Sequence, residues 1–280
     1  MAQVINTNVF SLNSQRQLNK SQASLQVSLE RLSSGLRINR AKDDAAGLAI
    51  SQRFTAQVRG LEQANRNAND GISLLQTAEG AMDEIANSLQ RMRELAVQAR
   101  NGTVNSADKA SLNDEFTELA AEITRITDTA EFNNTNLLGT SATLTFQVGF
   151  ENGSTNQIKV STIDLATKNL SVGGIRSVLT GLAISTSGSA SAAIGRLDTA
   201  IDNISAKRAD FGAKQNRLEA TVRNNANIVE NQSAARSRIL DADFARETAN
   251  LTRNQILQQA GVAMLSQANA LPQSVLSLLG

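Results

Sequence analysis

The two ends of the chain are long helical patterns of Leu, Ala, Ser, Asn and Gln that are almost free of charge, and this constrains the fold more than any motif does. No Asp, Glu, Lys or Arg occurs after Arg253, and before Glu30 the only charges are Arg16 and Lys20. A solitary helix in water normally carries a charged outer face. One that offers only amides and hydroxyls opposite its apolar stripe is suited to being surrounded by other protein. The ends are therefore expected to become ordered only in an assembly.

The residue inventory points the same way. With 280 residues, 41% hydrophobic content and a net charge of +1, the chain has the composition of a folded protein of one or two domains. It has no His, Cys, Trp or Tyr, a single Pro (Pro272) and only 3% aromatic residues. Without rings to fill a globular centre, burial falls to Leu, Ile, Val and Ala, which suits long thin helix pairs.

The same absences remove whole classes of function. Zinc, haem and iron–sulfur sites need His or Cys ligands, and Ser/His/Asp or Cys/His triads need the same residues. Neither of the Gly-rich phosphate-binding motifs occurs, and basic residues lie scattered among acidic ones with no aromatic platform for nucleic acid. No catalysis, cofactor or metal is expected. Asp43-Asp44 and Asp241 with Asp243 resemble carboxylate pairs, but Asp residues at helix starts serve as caps far more often. No basic segment followed by an apolar one opens the chain, so no cleavable secretory signal is expected. Neither is a membrane partner, because a surface-lying helix carries Lys or Arg on its polar face and a spanning one needs about 18 apolar residues.

Hydrophobic spacing marks three long helical stretches. Leu18, Leu25 and Leu32 fall seven apart, with Leu29 and Leu36 four residues after the last two, a coiled-coil stripe broken only by Gln22. Leu75, Ala78, Met82, Ile85, Leu89, Met92 and Ala96 alternate spacings of three and four on a helix expected from about Asn69 to Arg100. Leu197, Ile201, Ile204, Phe211, Leu218, Val222 and Val229 keep a heptad that Arg208, Gln215 and Asn225 interrupt, and such polar interruptions fix register and partner.

Ser33-Ser34-Gly35 and Asn101-Gly102-Thr103 read as helix ends, and Asp43-Asp44 before Ala45-Ala46 as the cap of a fresh turn. A shorter helix carries Leu112, Phe116, Leu119 and Ile123. From Ala142 to Asp164 the period changes to two, with a Glu151-Asn152-Gly153-Ser154 turn, which reads as a β-hairpin. Small residues from Ser171 to Ala193 read as a loop-like bridge before helix resumes. The expected fold is mainly α: long antiparallel helices from both chain ends in coiled-coil-like bundles, with a small β-hairpin region in the middle.

Several blocks of residues are specific enough to resemble a known family. Leu32-Ser-Ser-Gly-Leu-Arg-Ile-Asn39, Ala41-Lys-Asp-Asp-Ala-Ala-Gly-Leu-Ala-Ile50, Asn67-Ala-Asn-Asp-Gly-Ile-Ser-Leu-Leu-Gln-Thr-Ala-Glu-Gly80 and Gln90-Arg-Met-Arg-Glu-Leu-Ala-Val-Gln98 resemble the N-terminal block of bacterial flagellin. Ala235-Arg-Ser-Arg-Ile239, Asp241-Ala-Asp-Phe-Ala245, Gln255-Ile-Leu-Gln-Gln-Ala-Gly261 and Pro272-Gln-Ser-Val-Leu-Ser-Leu-Leu279 are similar to its C-terminal block. The resemblance implies a structural subunit of a motility filament outside the cell, in which both chain ends pair as coiled helices at the filament core.

By that resemblance, residues 1–43 with 238–280 form a D0-like core domain and 44–237 a D1-like domain with its hairpin around 142–164, with no outer D2 or D3 domains. Core packing falls to Leu18, Leu25, Leu29, Leu32, Leu36, Ile256, Val262 and Leu265. The implied partners are identical subunits, an export chaperone at the C-terminal helices, junction and cap proteins, and the flagellin-sensing Toll-like receptor of innate immunity. Export runs unfolded through the flagellar type III apparatus. For the receptor the resemblance points to Gln90, Arg91, Leu95 and Glu115. Two alternatives stay open, a hook–filament junction protein and a cytoplasmic coiled-coil adaptor.

Overall fold

The computed structural model describes residues 7–165, 175, 179 and 181–279, with side chains up to residue 270. The element order is α1 (Val9–Ser34), α2 (Ala45–Arg100), α3 (Ser106–Thr129), β1 (Glu131–Phe132), β2 (Thr135–Asn136), β3 (Thr143–Gln147), β4 (Gln157–Ser161), α4 (Ser187–Leu240) and α5 (Phe244–Leu279). Five long helices with two small antiparallel two-stranded sheets between them are the fold that the periodicities predict. The chain divides into two compact units, 59–229 and 1–58 with 230–280.

The unit 59–229 holds the main apolar core. Every position of the three-and-four stripe on α2, from Leu75 and Ala78 through Met82, Ile85, Leu89 and Met92 to Ala96, has 0% exposure. Leu197, Ile204, Phe211 and Leu218 of α4 are buried against them, and Phe116 and Ile123 of α3 complete the same cluster. Each large side chain so buried contributes about 1.5–3 kcal/mol. The Ala residues between them, Ala78, Ala96, Ala193 and Ala200, let the helices approach closely.

The polar interruptions of the α4 heptad each have a specific partner. Arg208 Nη1 lies 2.9 Å from Asp83 Oδ1, and Gln215 Nε2 donates to Glu79 Oε2 at 3.0 Å. Asn225, 5% exposed, donates from Nδ2 to the Val148 carbonyl at 2.9 Å. These bonds form only when α4 sits in one register on α2 and on the hairpin loop, which is how buried polar groups specify pairing.

The β3–β4 hairpin pairs Leu144 with Val160 and Phe146 with Ile158, inside the span the alternation marks. It lies tight on α2: a Cβ on Gly60 would stand 2.8 Å from the Phe150 Cβ, and Asn67 Nδ2 donates to the Gln147 carbonyl at 3.0 Å. A second hairpin, β1–β2, is absent from the expectation. Its two turn residues, Asn133 and Asn134, have φ of 48° and 60°, the type I′ geometry that Asn tolerates.

Two boundaries also differ from the sequence reading. The second helix starts at Ala45 rather than near Asn69, because nothing between them breaks the pattern: Val58, Leu61, Ala64 and Ala68 extend the buried stripe. Helix α4 begins at Ser187, six residues before the end of the expected bridge, since Thr186 and Ser189 cap one another through their hydroxyls and backbone amides. Of that bridge, residues 171–174, 176–178 and 180 lie outside the described ones.

In the unit formed by 1–58 and 230–280, α1 packs antiparallel against α5. Asn8 caps α1, its Oδ1 accepting from Ser11 N at 3.0 Å, and Gly35 closes the helix with φ of 70°. The Asp residues at the helix starts act as caps. Asp44 Oδ1 accepts from Gly47 N at 2.8 Å, and Asp243 Oδ1 accepts from Ala245 N at 3.0 Å. Asp43 Oδ2 accepts the Asn39 and Arg40 amides. Among the described residues no cluster of carboxylates suits a metal ion.

Candidate assembly surface

The seam joining α1 to α5 mixes Leu with small and polar residues. On α1 the half-buried or buried positions include Ser11, Ser14, Leu18, Ser21, Leu25, Ser28 and Leu32, alternating three and four apart, with Val27, Glu30 and Arg31 half-buried beside them. On α5 they include Asn254, Gln258, Gly261, Leu265 and Ala268. Leu18 fits over Gly261, its Cδ1 only 3.3 Å from where a Cβ would stand.

The inward stripe is therefore rotated from the all-Leu one expected. The position three residues after Leu25 faces the partner helix, so Ser28 is 4% exposed while Leu29 remains 49% exposed. The remaining expected core residues divide in the same way. Leu18, Leu25, Leu32, Leu36 and Leu265 are half-buried, whereas Ile256 and Val262 stay 60% and 55% exposed.

Large apolar side chains consequently point away from the pair. Val9, Phe10, Leu12, Leu29, Ile256, Leu257, Val262 and Met264 are all about half exposed or more. Monomeric proteins scatter such residues singly, and a run of them along both faces of one helix pair marks a surface made for protein. Their positions were legible in the sequence as charge-free helix; which of them turn outward was not.

A second group sits on α2 and α3. Arg91 donates from Nε to Glu115 Oε1 at 2.9 Å and from Nη1 to Glu94 Oε2 at 3.1 Å. The Glu115 bond first, then the Glu94 bond, raises the guanidinium further above its ordinary pKa. Gln90, Arg91 and Glu115 are exposed together. Leu95 is not with them: it is 1% exposed inside the apolar core, so the expectation that it fills a notch on a partner is corrected. The helical period explains this, because Leu95 follows Met92 by three residues and falls on the inward stripe.

Sequence reasoning missed one further contact. The two breaks in the terminal pair, after α1 and after α4, are joined by an antiparallel bridge between Leu36 and Asp241. Arg37 N donates to the Leu240 carbonyl and Ala242 N to the Gly35 carbonyl, at 2.6 and 2.9 Å. The partners lie far apart in the chain, and no local periodicity signals such a pairing.

Residues 5–143 match the bacterial flagellin N-terminal helical region and residues 194–279 the bacterial flagellin C-terminal helical region. The chain is 48% identical over 277 residues to the flagellin of Halalkalibacterium halodurans, covering 99% of each chain. It is 45% identical over 303 residues to the flagellin of Bacillus subtilis, covering 98% of this chain and 99% of that one. The crystal structure of Bacillus cereus flagellin shares 34% identity and covers 57% of this chain and 88% of its own, with a TM-score of 0.49.

The helical fold and the family and relative matches together define a class, the helix-built structural proteins of bacterial filaments rather than enzymes. Within that class, the chain belongs to the bacterial flagellin family, the subunits of the extracellular flagellar filament.

Proposed function

We propose that the chain polymerises through the outward apolar faces of α1 and α5, which neighbouring subunits cover at the filament core. The observation that carries this reading is the exposure of Leu29, Ile256, Leu257, Val262 and Met264 on a helix pair whose own seam interleaves its Leu residues with Ser, Asn, Gln and Gly. A seam of that kind holds two helices only weakly, so the pair gains most of its stability from added neighbours. On this reading 1–43 with 238–280 is the D0-like core and 44–237 the D1-like layer.

Seeded growth tests it directly. Purified subunit with filament fragments gives long helical filaments, and the same chain lacking Gln255 to Gly280 gives none while its middle unit stays folded. Filaments from the truncated chain, or a parent that remains monomeric or dimeric, would favour a junction protein or a coiled-coil adaptor.

Before assembly the same faces need shelter. An export chaperone that covers Ile256 and Val262, and Leu265 once α5 is unpaired from α1, fits this need, and the chain then travels unfolded through the type III apparatus to meet the junction and cap proteins. The lack of Cys leaves no cross-link to oppose unfolding. A mature protein missing an N-terminal segment of signal-peptide length contradicts this route.

A second role rests on the Arg91–Glu115 fork, which presents an exposed guanidinium between two helices. A planar fork suits recognition by hydrogen bonding. The Toll-like receptor for flagellin is its proposed partner, with Gln90, Arg91 and Glu115 as the contacts. Arg91→Ala lowers receptor binding by about 2 kcal/mol; unchanged stimulation of receptor-bearing cells by Arg91→Ala and Glu115→Ala subunits would return these residues to an ordinary solvated helix face.

A further inference from the structure

We propose that Arg37, with the Leu36–Asp241 bridge, is a clamp that sets the register of α1 on α5, because the seam between those helices does not set it alone. On α1 the inward positions repeat with a period of seven: Ser14, Ser21 and Ser28 in one row, Leu18, Leu25 and Leu32 in the other. Sliding α1 by one heptad, about 10 Å at 1.5 Å per residue, offers α5 nearly the same row of side chains. The opposite face runs in heptad rows as well, Leu251, Gln258 and Leu265 in one and Asn254, Gly261 and Ala268 in the other. Coiled coils of this kind need a distinct polar or structural device to choose among registers.

The contacts within the pair that single out one register are few and weakly placed. Asn8 Nδ2 donates to the Ala268 carbonyl and the Ser11 hydroxyl to Asn269 Oδ1, both at 2.7 Å near the free ends of the helices. The Arg31–Glu247 pair is long, at 3.8 Å, and the Arg31 Nε has no hydrogen-bond partner among the described residues. Leu18 over Gly261 is a good fit, but the heptad would bring Leu25 to the same place.

The clamp lies at the other end of the pair. Arg37 grips the last turn of α4 twice, its amide donating to the Leu240 carbonyl at 2.6 Å and its Nη2 to the Ile239 carbonyl at 2.7 Å. The Gly35 carbonyl accepts from Ala242 N at 2.9 Å, one residue before α5 is capped by Asp243. A cation at a helix C-terminus is favoured by the carbonyls it meets, and the guanidinium fork reaches a carbonyl beside the one its own backbone holds. Because α1 ends at Ser34 and α5 starts at Phe244, these bonds tie the two helix ends together within a few residues, and a heptad slip would break all three.

The chain has no cysteine, so introduced pairs report register without background. Ser11→Cys with Asn269→Cys reports the register seen here; Ser11→Cys with Val262→Cys or with Leu276→Cys reports a slip of one heptad in either direction. Each pair is oxidised in the full-length chain, both as free subunit and in seeded filaments, so the outcome does not depend on filament growth. In the parent background the first pair cross-links and the other two do not. In Arg37→Ala the first cross-link falls at least twofold and a slipped one appears. Arg37→Lys, which keeps a donor for the Ile239 carbonyl, restores the parental pattern. An Arg37→Ala chain with an undiminished first cross-link and no slipped product overturns the proposal, as does one in which all cross-links fall together without a slipped product.

Discussion

Substituting Ile256 by Asp separates assembly from folding. In the single chain Ile256 is 60% exposed, so an Asp there keeps most of its hydration and the subunit loses little. Surface changes of this kind stay within about 0.5 kcal/mol. In the filament the same position is to be covered by a neighbour. Full burial of an Ile contributes about 1.5–3 kcal/mol, so closing off the remaining exposed part contributes about 1–2 kcal/mol to each subunit added. The carboxylate loses that gain and must be desolvated without a partner, a further cost of at least about 2 kcal/mol. Together these raise the free energy of subunit addition by about 3 kcal/mol, or roughly a hundredfold in critical concentration. The assay is sedimentation of seeded filaments across a concentration series, with thermal melting of the free variant as the folding control. Parental critical concentration with parental melting would refute the reasoning, because it would leave Ile256 exposed in the polymer.

Other substitutions test the internal structure. Phe211, 1% exposed in the core, costs about 3–5 kcal/mol as Ala, seen as a lower melting temperature of the unit 59–229. Gly35→Ala costs about 1–2 kcal/mol, since its φ of 70° disfavours any side chain while the nearest heavy atom, Phe244 Cζ at 3.8 Å, leaves room for one; removal of α1 fraying in a helix-content measurement would contradict this. Asp43 is held below the usual carboxylate range chiefly by the Arg40 amide and then by Asn39 and nearby cations. A lowered folded pKa means stability that is present above the ordinary carboxylate pKa and lost as pH falls through the lowered one. Asp43→Asn therefore shows a shallower loss of melting temperature on acidification below about pH 4 than the parent.

The long core stripes were legible because burial on a helix leaves a period, and Leu75 to Ala96 keep theirs without a miss, while Leu197 to Leu218 keep theirs around the paired Arg208 and Gln215. The caps were legible too, since Asp44 and Gly35 act through local chain geometry. What escaped was whatever depends on the partner's shape. Leu29 and Ser28 are neighbours on one helix, and only the position of α5 decides which of them turns inward. Leu95 belongs at once to the motif around Arg91 and to the stripe running through Met92, and it is the stripe that places it inside. The Asn133-Asn134 turn carried a signal that turn chemistry could have caught, whereas the bridge of Leu36 to Asp241 carried none.

Hydrogen exchange on free subunit and filament tests the central claim most directly. If neighbours complete the terminal pair, backbone amides of residues 9–34 and 244–279 exchange quickly in the subunit and become protected in the filament, while the core of 59–229 is slow in both. Terminal helices equally protected in both states, or still fast in the polymer, would contradict the account.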